Sequence, residues 1–355
     1  MSLRHRSLQR SSFLILAVVF VLWLCPLLGC QSSKPAAPSE VKAQTSSENA
    51  PSGPAPTSTQ GMTAEPTGAP MHIDPARAMQ YVKEFVGIGP RWVGSKGQEK
   101  ASAYLRSKLK NDNLEEDAFV ADTPAGKLAM KNLVAKFPGS NEGIIVLGTH
   151  IDTNYPLRDT NYAGANDGGS STGLLLAIAD QLRGKKLEGY SVWLAFLDGE
   201  EAIDKWTETD SLYGSKHLAA KWRQDGTIGN IKAFLLADMI GDKDLEIERD
   251  TNSTPWLEDL IYKAATRLSY QSHFFDSTDT MDDDHMPFAR SSVPVADLID
   301  FSYGYNNAYH HTTEDTLNKL SPRSLQITGD VILETIRLLN ANASHLSSTA
   351  PKTSS

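Results

Sequence analysis

The chain has 355 residues, of which 40% are hydrophobic and 22% are charged, an ordinary composition for a globular protein. Its formal net charge of −9 argues against a nucleic-acid partner, which requires a basic face. The two cysteines, Cys25 and Cys30, both precede the predicted folded domain, so neither a disulfide framework nor a cysteine nucleophile is expected there.

The first 29 residues are predicted to be an export signal. Three arginines precede an apolar run from Phe13 to Leu28, and the ending Leu-Leu-Gly-Cys resembles the cleavage site of bacterial lipoproteins. This resemblance implies cleavage before Cys30, lipidation of that cysteine, and a location in the cell envelope facing the periplasm or the exterior. A plain secretory signal and an uncleaved anchor are the alternatives. Loss of residues 1–29 removes three arginines and no acid, which moves the formal charge from −9 to −12.

The predicted tether covers residues 30–70, which are rich in Ser, Pro, Ala and Thr and contain almost no large apolar side chains. Such a segment cannot bury enough surface to offset the entropy lost on ordering, so disorder is expected. Residues 71–343 are predicted to form one folded domain, and residues 344–355 a disordered tail.

Within the folded domain, helical periodicity alternates with apolar runs of strand length. The predicted elements, in chain order, are helices over 76–85 and 98–110, strands over 132–137 and 143–150, a helix over 170–182, a strand over 190–197, a helix over 211–222, a strand over 232–238, a helix over 254–268, a strand over 293–299 and a helix over 324–340. Apolar strands separated by helices predict a single α/β domain. Its central sheet would be mostly parallel, mixed at the edge, with helices on both faces.

Most predicted strands end on acidic residues or histidine, and the carboxyl ends of parallel strands share one edge of a sheet. The residues expected at this edge are His150, Asp152, Asp167, Asp198, Glu200, Glu201, Asp238, Asp242, the run 282–285, His310 and His311. Each has an ordinary alternative: Asp167 could cap a helix, the run 282–285 could be a solvated loop, and the two histidines could lie on the surface. Convergent carboxylates and imidazoles with few cations indicate a divalent metal site, and the lack of cysteine favours catalytic zinc.

The adjacent glutamates Glu200 and Glu201 fit such a site. Two neighbouring carboxylates repel each other unless a positive charge or a proton compensates them, and consecutive side chains point in different directions. One glutamate could therefore bind the metal while the other acts as acid and base, as chemistry at a carbonyl requires.

Five motifs, "GTHID", "ANDGGSSTG", "FLDGEE", "DMIG" and "HTTEDT", resemble in this order the zinc aminopeptidase superfamily with co-catalytic metals. Three stretches, "GPRWVGSKG", "DGEEAIDKWTETDSLYGSKHLA" and "DDDHMPFARSSVPV", are more similar to the animal-type glutaminyl-peptide cyclotransferases (glutaminyl cyclases). The resemblance spans roughly residues 82–339. It implies a zinc-dependent acyltransferase that cyclises the N-terminal glutamine of peptides to pyroglutamate and releases ammonia.

The same resemblance implies the metal ligands. In the cyclase pattern, Asp167, Glu201 and His311 would bind one zinc ion. In the aminopeptidase pattern, His150 and Asp238 would hold a second zinc, with Asp167 bridging the two ions. Both additional residues are present, so the ligand set does not separate a cyclase from an aminopeptidase that hydrolyses N-terminal residues from peptides.

The catalytic and substrate-binding residues are also implied by the resemblance. Glu200 would be the acid/base, and Asp238 and Asp284 would be the hydrogen-bonded carboxylates that support it. Trp206 would form an aromatic wall of the substrate pocket. His310 departs from the cyclase pattern, which has tryptophan immediately before the zinc histidine. It is expected to line the substrate pocket or lie on the surface, in preference to acting as a rival metal ligand.

The expected partners follow from these assignments. Peptide or protein N-termini would be the substrate, no nucleic acid is expected, and the lipidated Cys30 would attach a monomer to a membrane. A surface receptor without catalysis would require a lost ligand or base, and none is missing from the sequence.

Overall fold

The computed structural model describes residues 62–348. The predicted export signal, Cys30, the tether up to residue 61 and the tail after residue 348 lie outside the described residues. Within residues 62–348, every helix is too short or too polar to span a membrane.

The described part of the chain alternates between helices and strands. In chain order these are α1 (Pro75–Val86), α2 (Lys96–Leu109), β1 (Asn113–Thr123), β2 (Gly126–Phe137), β3 (Gly139–His150), α3 (Gly169–Leu182), β4 (Leu187–Leu197), α4 (Tyr213–Gln224), β5 (Ile231–Asp238), β6 (Ile247–Asp250), α5 (Pro255–Arg267), β7 (Phe274–Asp279), α6 (Met286–Ala289), β8 (Val295–Ile299), α7 (Pro322–Ala341) and α8 (Ala343–Ser348). Each helix and strand predicted from the sequence has a counterpart here. Strands β1, β6 and β7 and the short helices α6 and α8 were not predicted.

Six strands form the central sheet in the order β1-β2-β4-β3-β5-β8. Strands β4, β3, β5 and β8 run parallel, whereas β2 is antiparallel to both of its neighbours. The predicted mostly parallel sheet, mixed at its edge, is therefore confirmed. In the ladder His150 pairs with Leu197, and Asp238 pairs with Ile299, so the polar residues that follow these strands gather at one edge.

Helices cover both faces of the sheet. The larger apolar cluster includes buried side chains of α1, α3, α5 and α7, and a second cluster on β2–β5 and β8 includes Leu218, Trp222 and Phe288 from α4 and α6. Helix α3 is almost wholly buried and lies close to α1. A Cβ atom at Gly173 would lie 2.4 Å from Val82 Cγ2 and 2.7 Å from the Val82 backbone nitrogen, so this crossing requires glycine.

Local capping sets where the outer helices begin. At α1, the Asp74 carboxylate accepts the backbone N–H groups of Ala76 (2.9 Å) and Arg77 (3.2 Å), and Pro75 occupies the first helical position. Helix α7 has the same arrangement, because Ser321 caps it and proline follows.

Residues 62–70, assigned to the tether from the sequence, contact the C-terminal part of α7. The Asn342 side chain exchanges two hydrogen bonds of 3.0 Å with the backbone of Ala64. The Arg337 guanidinium donates to the carbonyls of Thr67 (2.7 Å) and Gly68 (2.8 Å). These contacts attach the incoming chain at the end of α7 opposite to its capped start.

Candidate active site

A cavity of about 380 Å³ opens where β4, β5, β7 and β8 end. Its lining residues are Asp167, Glu200, Trp206, Asp238, Asp279, Thr280, Met281, Asp282, Asp283, Ile299, Phe301, His310 and His311. Six carboxylates and two histidines line the cavity without a lysine or an arginine. Four of these carboxylates, those of Asp167, Glu200, Asp238 and Asp283, are buried and repel one another, so the cavity is suited to bind a cation.

One group of possible metal ligands lies at the ends of β3 and β5. His150, Asp167 and Asp238 each offer one ligand atom, and these atoms lie within 4.8 Å of one another. The His150 Nε2 atom is 3.0 Å from Asp167 Oδ1 and 3.2 Å from Asp238 Oδ1. The structure thus brings together the residues predicted for a second metal.

The residues predicted to bind the first metal meet around the imidazole of His311. Its Nε2 atom lies 3.1 Å from Glu201 Oε1 and 3.4 Å from Asp167 Oδ2. The other oxygen of Glu201 accepts a hydrogen bond of 2.8 Å from Asn154 Nδ2, which fixes the carboxylate. His311 thus lies between Glu201 and Asp167, and Asp167 also belongs to the first group.

His310 lies beside His311 and could contribute a further metal ligand. Asp167, His310 and His311 offer ligand atoms within 4.8 Å of one another, and the two imidazoles stack with ring centroids 3.7 Å apart. His310 also lines the cavity and contacts the Phe301 ring edge-on at 5.0 Å. Its position allows either contact with a substrate or metal ligation.

His311 has an unusual backbone conformation. Its φ of 51° lies in the left-handed region that favours glycine. Such a conformation persists where the surrounding structure holds it, and it is frequent at functional sites. Here it directs the imidazole towards Glu201 and Asp167.

Glu200 is not a member of either group of possible metal donors, although it lies beside His150. It lines the cavity, and its Oε2 atom lies 3.7 Å from His150 Nδ1. Burial raises the pKa of Glu200 well above its ordinary value, and the negative charge of Glu201 and Asp283 adds to this effect although His150 opposes it. A carboxyl group with a raised pKa is a better proton acceptor than an ordinary glutamate.

Asp152, at the end of β3, fixes the loop that carries the two glutamates. Its carboxylate accepts the backbone N–H groups of Gly199 (3.0 Å), Glu200 (3.1 Å) and Glu201 (3.2 Å). The sequence placed Asp152 at this edge without assigning it a role. Its partners are 47 to 49 residues away along the chain, so no local motif indicates them.

Asp167 is held from two sides. The Tyr162 hydroxyl donates to Asp167 Oδ2, and Asp315 accepts the backbone N–H of Asp167 at 3.2 Å. Asp315 is in turn fixed by the hydroxyl of Tyr303, which donates to it at 2.8 Å. Neither Tyr162 nor Asp315 was predicted as a site residue, although Asp315 lies within the motif "HTTEDT".

Arg91, from the motif "GPRWVGSKG", ties together the loops behind Asp167. It is fully buried and donates to the carbonyls of Ile151 (3.0 Å), Ala163 (2.6 Å) and Gly164 (3.2 Å). Burial lowers the pKa of Arg91 to about 10, which leaves the side chain charged at neutral pH. Its role is to position the chain before Asp167.

Asp284 lies outside the lining of the cavity. It is fully buried, and in the part of the chain described here neither carboxylate oxygen has a hydrogen-bond partner. Asp238 contacts His150 at 3.2 Å, and the role of Asp238 and Asp284 as carboxylates that support Glu200 stays a prediction. Adjacent residues of the turn before α6 point differently, and it is Asp283 that reaches the cavity. Burial and the charge of Asp238 raise the pKa of Asp283 to about 7.

Trp206 lies at the mouth of the cavity and is 41% exposed. The loop before it is fixed by Asp210, whose carboxylate accepts the backbone N–H groups of residues 203–205 at 2.9–3.0 Å. The Tyr213 hydroxyl donates to the same carboxylate at 2.7 Å. Asp210 belongs to the stretch "DSLYGS" and was not predicted as a site residue.

The donor set fits a divalent ion such as zinc. Imidazole nitrogens and carboxylate oxygens converge beside a cavity that a substrate can enter, and catalytic zinc sites combine such ligands with one open position. The sequence has no cysteine after Cys30, so no thiolate is available to the described site.

Comparison with known proteins agrees with this geometry. The profile of peptidase family M28 matches residues 132–336. The glutaminyl-peptide cyclotransferase of Drosophila melanogaster is 30% identical over 64% of this chain and 70% of its own length. The glutaminyl-peptide cyclotransferase-like protein of Bos taurus is 32% identical over 65% of this chain and 67% of its own.

A solved structure is more similar still. The glutaminyl cyclase of an Acidobacteriales bacterium is 51% identical, covers 78% of this chain and 98% of its own, and superposes with a TM-score of 0.76. The chain therefore belongs to peptidase family M28 and, within it, to the glutaminyl-peptide cyclotransferase enzymes that the sequence motifs resemble.

Proposed function

We propose that this chain is a zinc-dependent glutaminyl cyclase that converts the N-terminal glutamine of peptides to pyroglutamate. The observation that carries the proposal is the separation of the adjacent glutamates. Glu201 Oε1 lies 3.1 Å from His311 Nε2, whereas Glu200 lines the cavity with its Oε2 atom 3.7 Å from His150 Nδ1. Acyl transfer at a carbonyl uses both functions, one carboxylate for the metal and one for the proton. The similarity to glutaminyl cyclases supports the choice of substrate.

In this proposal Asp167, Glu201 and His311 hold one zinc ion. Bound there, zinc supplies a Lewis acid that polarises the γ-carbonyl of the substrate glutamine. Asn154 and Tyr162 orient the two carboxylate ligands through hydrogen bonds, as outer partners commonly do in metal sites.

Glu200 moves the proton. It accepts a proton from the α-amine of the substrate, whose nitrogen attacks the γ-carbon and closes a five-membered ring. The bond between the γ-carbon and the side-chain amide nitrogen then breaks, and Glu200 returns the proton to that nitrogen, which leaves as ammonia. One carbon–nitrogen bond forms and one breaks, so neither water nor an external base is consumed.

The cavity walls hold the substrate in a bent conformation. Trp206, Phe301 and His310 line the space next to Glu200, and they can enclose the glutamine side chain and exclude water. Because ring closure is intramolecular, fixing this conformation removes much of the entropic part of the barrier.

A second candidate is a two-metal aminopeptidase. The group formed by His150, Asp167 and Asp238 favours it, because these residues offer three donors for another ion. In that reaction Glu200 would deprotonate a water molecule that attacks the first peptide carbonyl. The products would be a free amino acid and a shortened peptide.

Incubation of the purified protein with a Gln-peptide and a matched Leu-peptide tests the proposal. A cyclase releases ammonia from the Gln-peptide, lowers its mass by one ammonia and leaves the Leu-peptide intact. Release of free leucine or glutamine would contradict the cyclase assignment. Metal analysis of the same sample should give one zinc per chain, whereas a content nearer two would favour the aminopeptidase.

We also propose that the protein is exported and lipid-anchored through Cys30. The supporting observation is the apolar run that ends in Leu-Leu-Gly-Cys. Expression of the full chain with Cys30→Ala should move the protein out of the membrane fraction. If the variant stayed there, an uncleaved anchor would be the better explanation.

A further inference from the structure

The catalytic cavity changes in character from its base to its mouth. Asp167, Glu200 and Asp238 are buried at the base, whereas Asp279 and Asp282 are exposed at the mouth. The metal and the transferred proton can neutralise charge at the base, but they are not placed to neutralise the mouth. The outer wall therefore presents negative charge to the part of a peptide that leaves the cavity.

The two aspartates at the mouth, Asp279 and Asp282, differ in whether a positively charged side chain lies nearby. Asp282 lies 3.8 Å from Arg290 Nη2, and both side chains are about half-exposed. Within residues 62–348, no nitrogen of a lysine, arginine or histidine lies within 4.0 Å of the Asp279 carboxylate. Asp279 accepts only the backbone N–H of Thr280, at 2.7 Å, among the side-chain contacts described. Its charge is thus free to attract a cation from a ligand.

Apolar groups lie beside these carboxylates. Trp206 is 41% exposed, and Met281 and Phe301 line the same cavity. The methylene stem of a lysine or arginine packs well on such surfaces while its charged end reaches a carboxylate, and an indole face also attracts the cation directly.

We propose that this mouth selects peptides with lysine or arginine in the two positions after the N-terminal glutamine. This rests on the proposed function, which places the glutamine beside Glu200. The following residues then leave the cavity past Trp206, Asp279 and Asp282. Acidic residues in the same positions meet the negative charge of Asp279, which has no cationic partner among residues 62–348, and are disfavoured.

The test compares kcat/KM for Gln-Lys-Ala-amide, Gln-Ala-Ala-amide and Gln-Glu-Ala-amide at low and high salt. At low salt, kcat/KM for the basic peptide should be about three- to ten-fold higher than for the acidic peptide, the range expected for interactions with exposed carboxylates. The ratio should shrink as salt screens the charges. It should fall to about one in the variant with both Asp279→Asn and Asp282→Asn.

Asp276→Asn is the matched control, because Asp276 is exposed on the same strand, β7, but does not line the cavity. In this control variant, the ratio of kcat/KM between the basic and the acidic peptide should be unchanged. Equal rates for the three peptides, or a ratio that the double variant leaves unchanged, would overturn the proposal.

Equilibrium binding separates this proposal from the proposed function. Calorimetric titration with Ala-Lys-Ala-amide and Ala-Glu-Ala-amide, which cannot be cyclised, should give tighter binding of the basic peptide and a loss of that difference in the double variant. If no glutamine peptide is cyclised, the proposed function fails, and these two dissociation constants still decide whether the mouth prefers cations.

Discussion

The Asp152 carboxylate accepts the backbone N–H of Glu200 at 3.1 Å, so the end of β3 fixes the loop that follows β4. The same carboxylate accepts the next N–H, that of Glu201, and both glutamates are thereby set at a junction of two parallel strands. Their side chains diverge from this fixed backbone, one towards His311 and the other into the cavity. Two adjacent residues can therefore carry two different functions.

Glu200→Gln should nearly abolish turnover and leave metal content unchanged. Glutamine has almost the same shape but cannot accept the proton of the substrate amine, and loss of a general base typically costs about 10²–10⁴-fold in rate. The measurements are kcat with a Gln-peptide and zinc per chain by elemental analysis. Loss of zinc from this variant would mean that the roles of the two glutamates are reversed.

Glu201→Gln should instead weaken metal binding. The variant removes a charged metal donor beside His311, so the zinc dissociation constant should rise. Loss of a residue that only hydrogen-bonds to a ligand typically weakens metal binding roughly 10- to 100-fold, and loss of the ligand itself should weaken it more. Competition with a chromogenic chelator measures this constant. Excess zinc should restore part of the activity of Glu201→Gln and none of that of Glu200→Gln, and equal zinc affinity in both variants would contradict the assignment.

Removal of the metal should destabilise the fold. Without a cation, the buried carboxylates around His150 and His311 repel one another, and a ligand present at about a thousandfold over its dissociation constant contributes about 4 kcal/mol. Exhaustive chelation should therefore lower the Tm by roughly 10 °C, and added zinc should reverse the shift. An unchanged Tm would show that the donors are not held together by an ion.

Gly173→Ala should destabilise the domain although alanine is the better helix former. Alanine normally stabilises a helix by about 1 kcal/mol relative to glycine. Here, however, its Cβ would lie 2.7 Å from the Val82 backbone nitrogen. Overpacking of this kind costs about 1–3 kcal/mol, which a urea titration can measure. Gly229→Ala is the control, because Gly229 is exposed and its added Cβ would meet nothing within 4 Å.

The sequence predicts the central strands because a parallel sheet buries both faces of each strand and leaves a continuous apolar run. Strand β1 was not predicted because it has no continuous apolar run. It lies at the sheet edge, its exposed and buried positions are mixed, and it carries Glu115, Glu116 and Asp117. Strands β6 and β7 are short and form a separate pair, so they give little periodic signal.

The candidate site, like the fold, could be predicted from the sequence only in part. Its acids and histidines are visible in the sequence because they follow apolar strands, but the hydrogen bonds that position them join distant segments. Asp315 reaches Asp167 across 148 residues, and no local pattern predicts that contact. The choice between Asp283 and Asp284 depends on the direction of one turn, which neither composition nor spacing determines.

Asp210→Asn should impair substrate binding more than the chemical step. Asp210 accepts three backbone N–H groups of residues 203–205, and an amide in its place presents a donor to some of them, so the loop that holds Trp206 should loosen. Glu200 and Glu201 directly precede this loop, but the Asp152 carboxylate holds their backbone independently of Asp210. KM should therefore rise several-fold with a smaller change in kcat, and Trp206→Ala should likewise affect KM more than kcat. Asp225→Asn, an exposed aspartate beyond α4, is the control. A fall in kcat at unchanged KM would mean that Asp210 supports the reacting groups instead of the substrate wall.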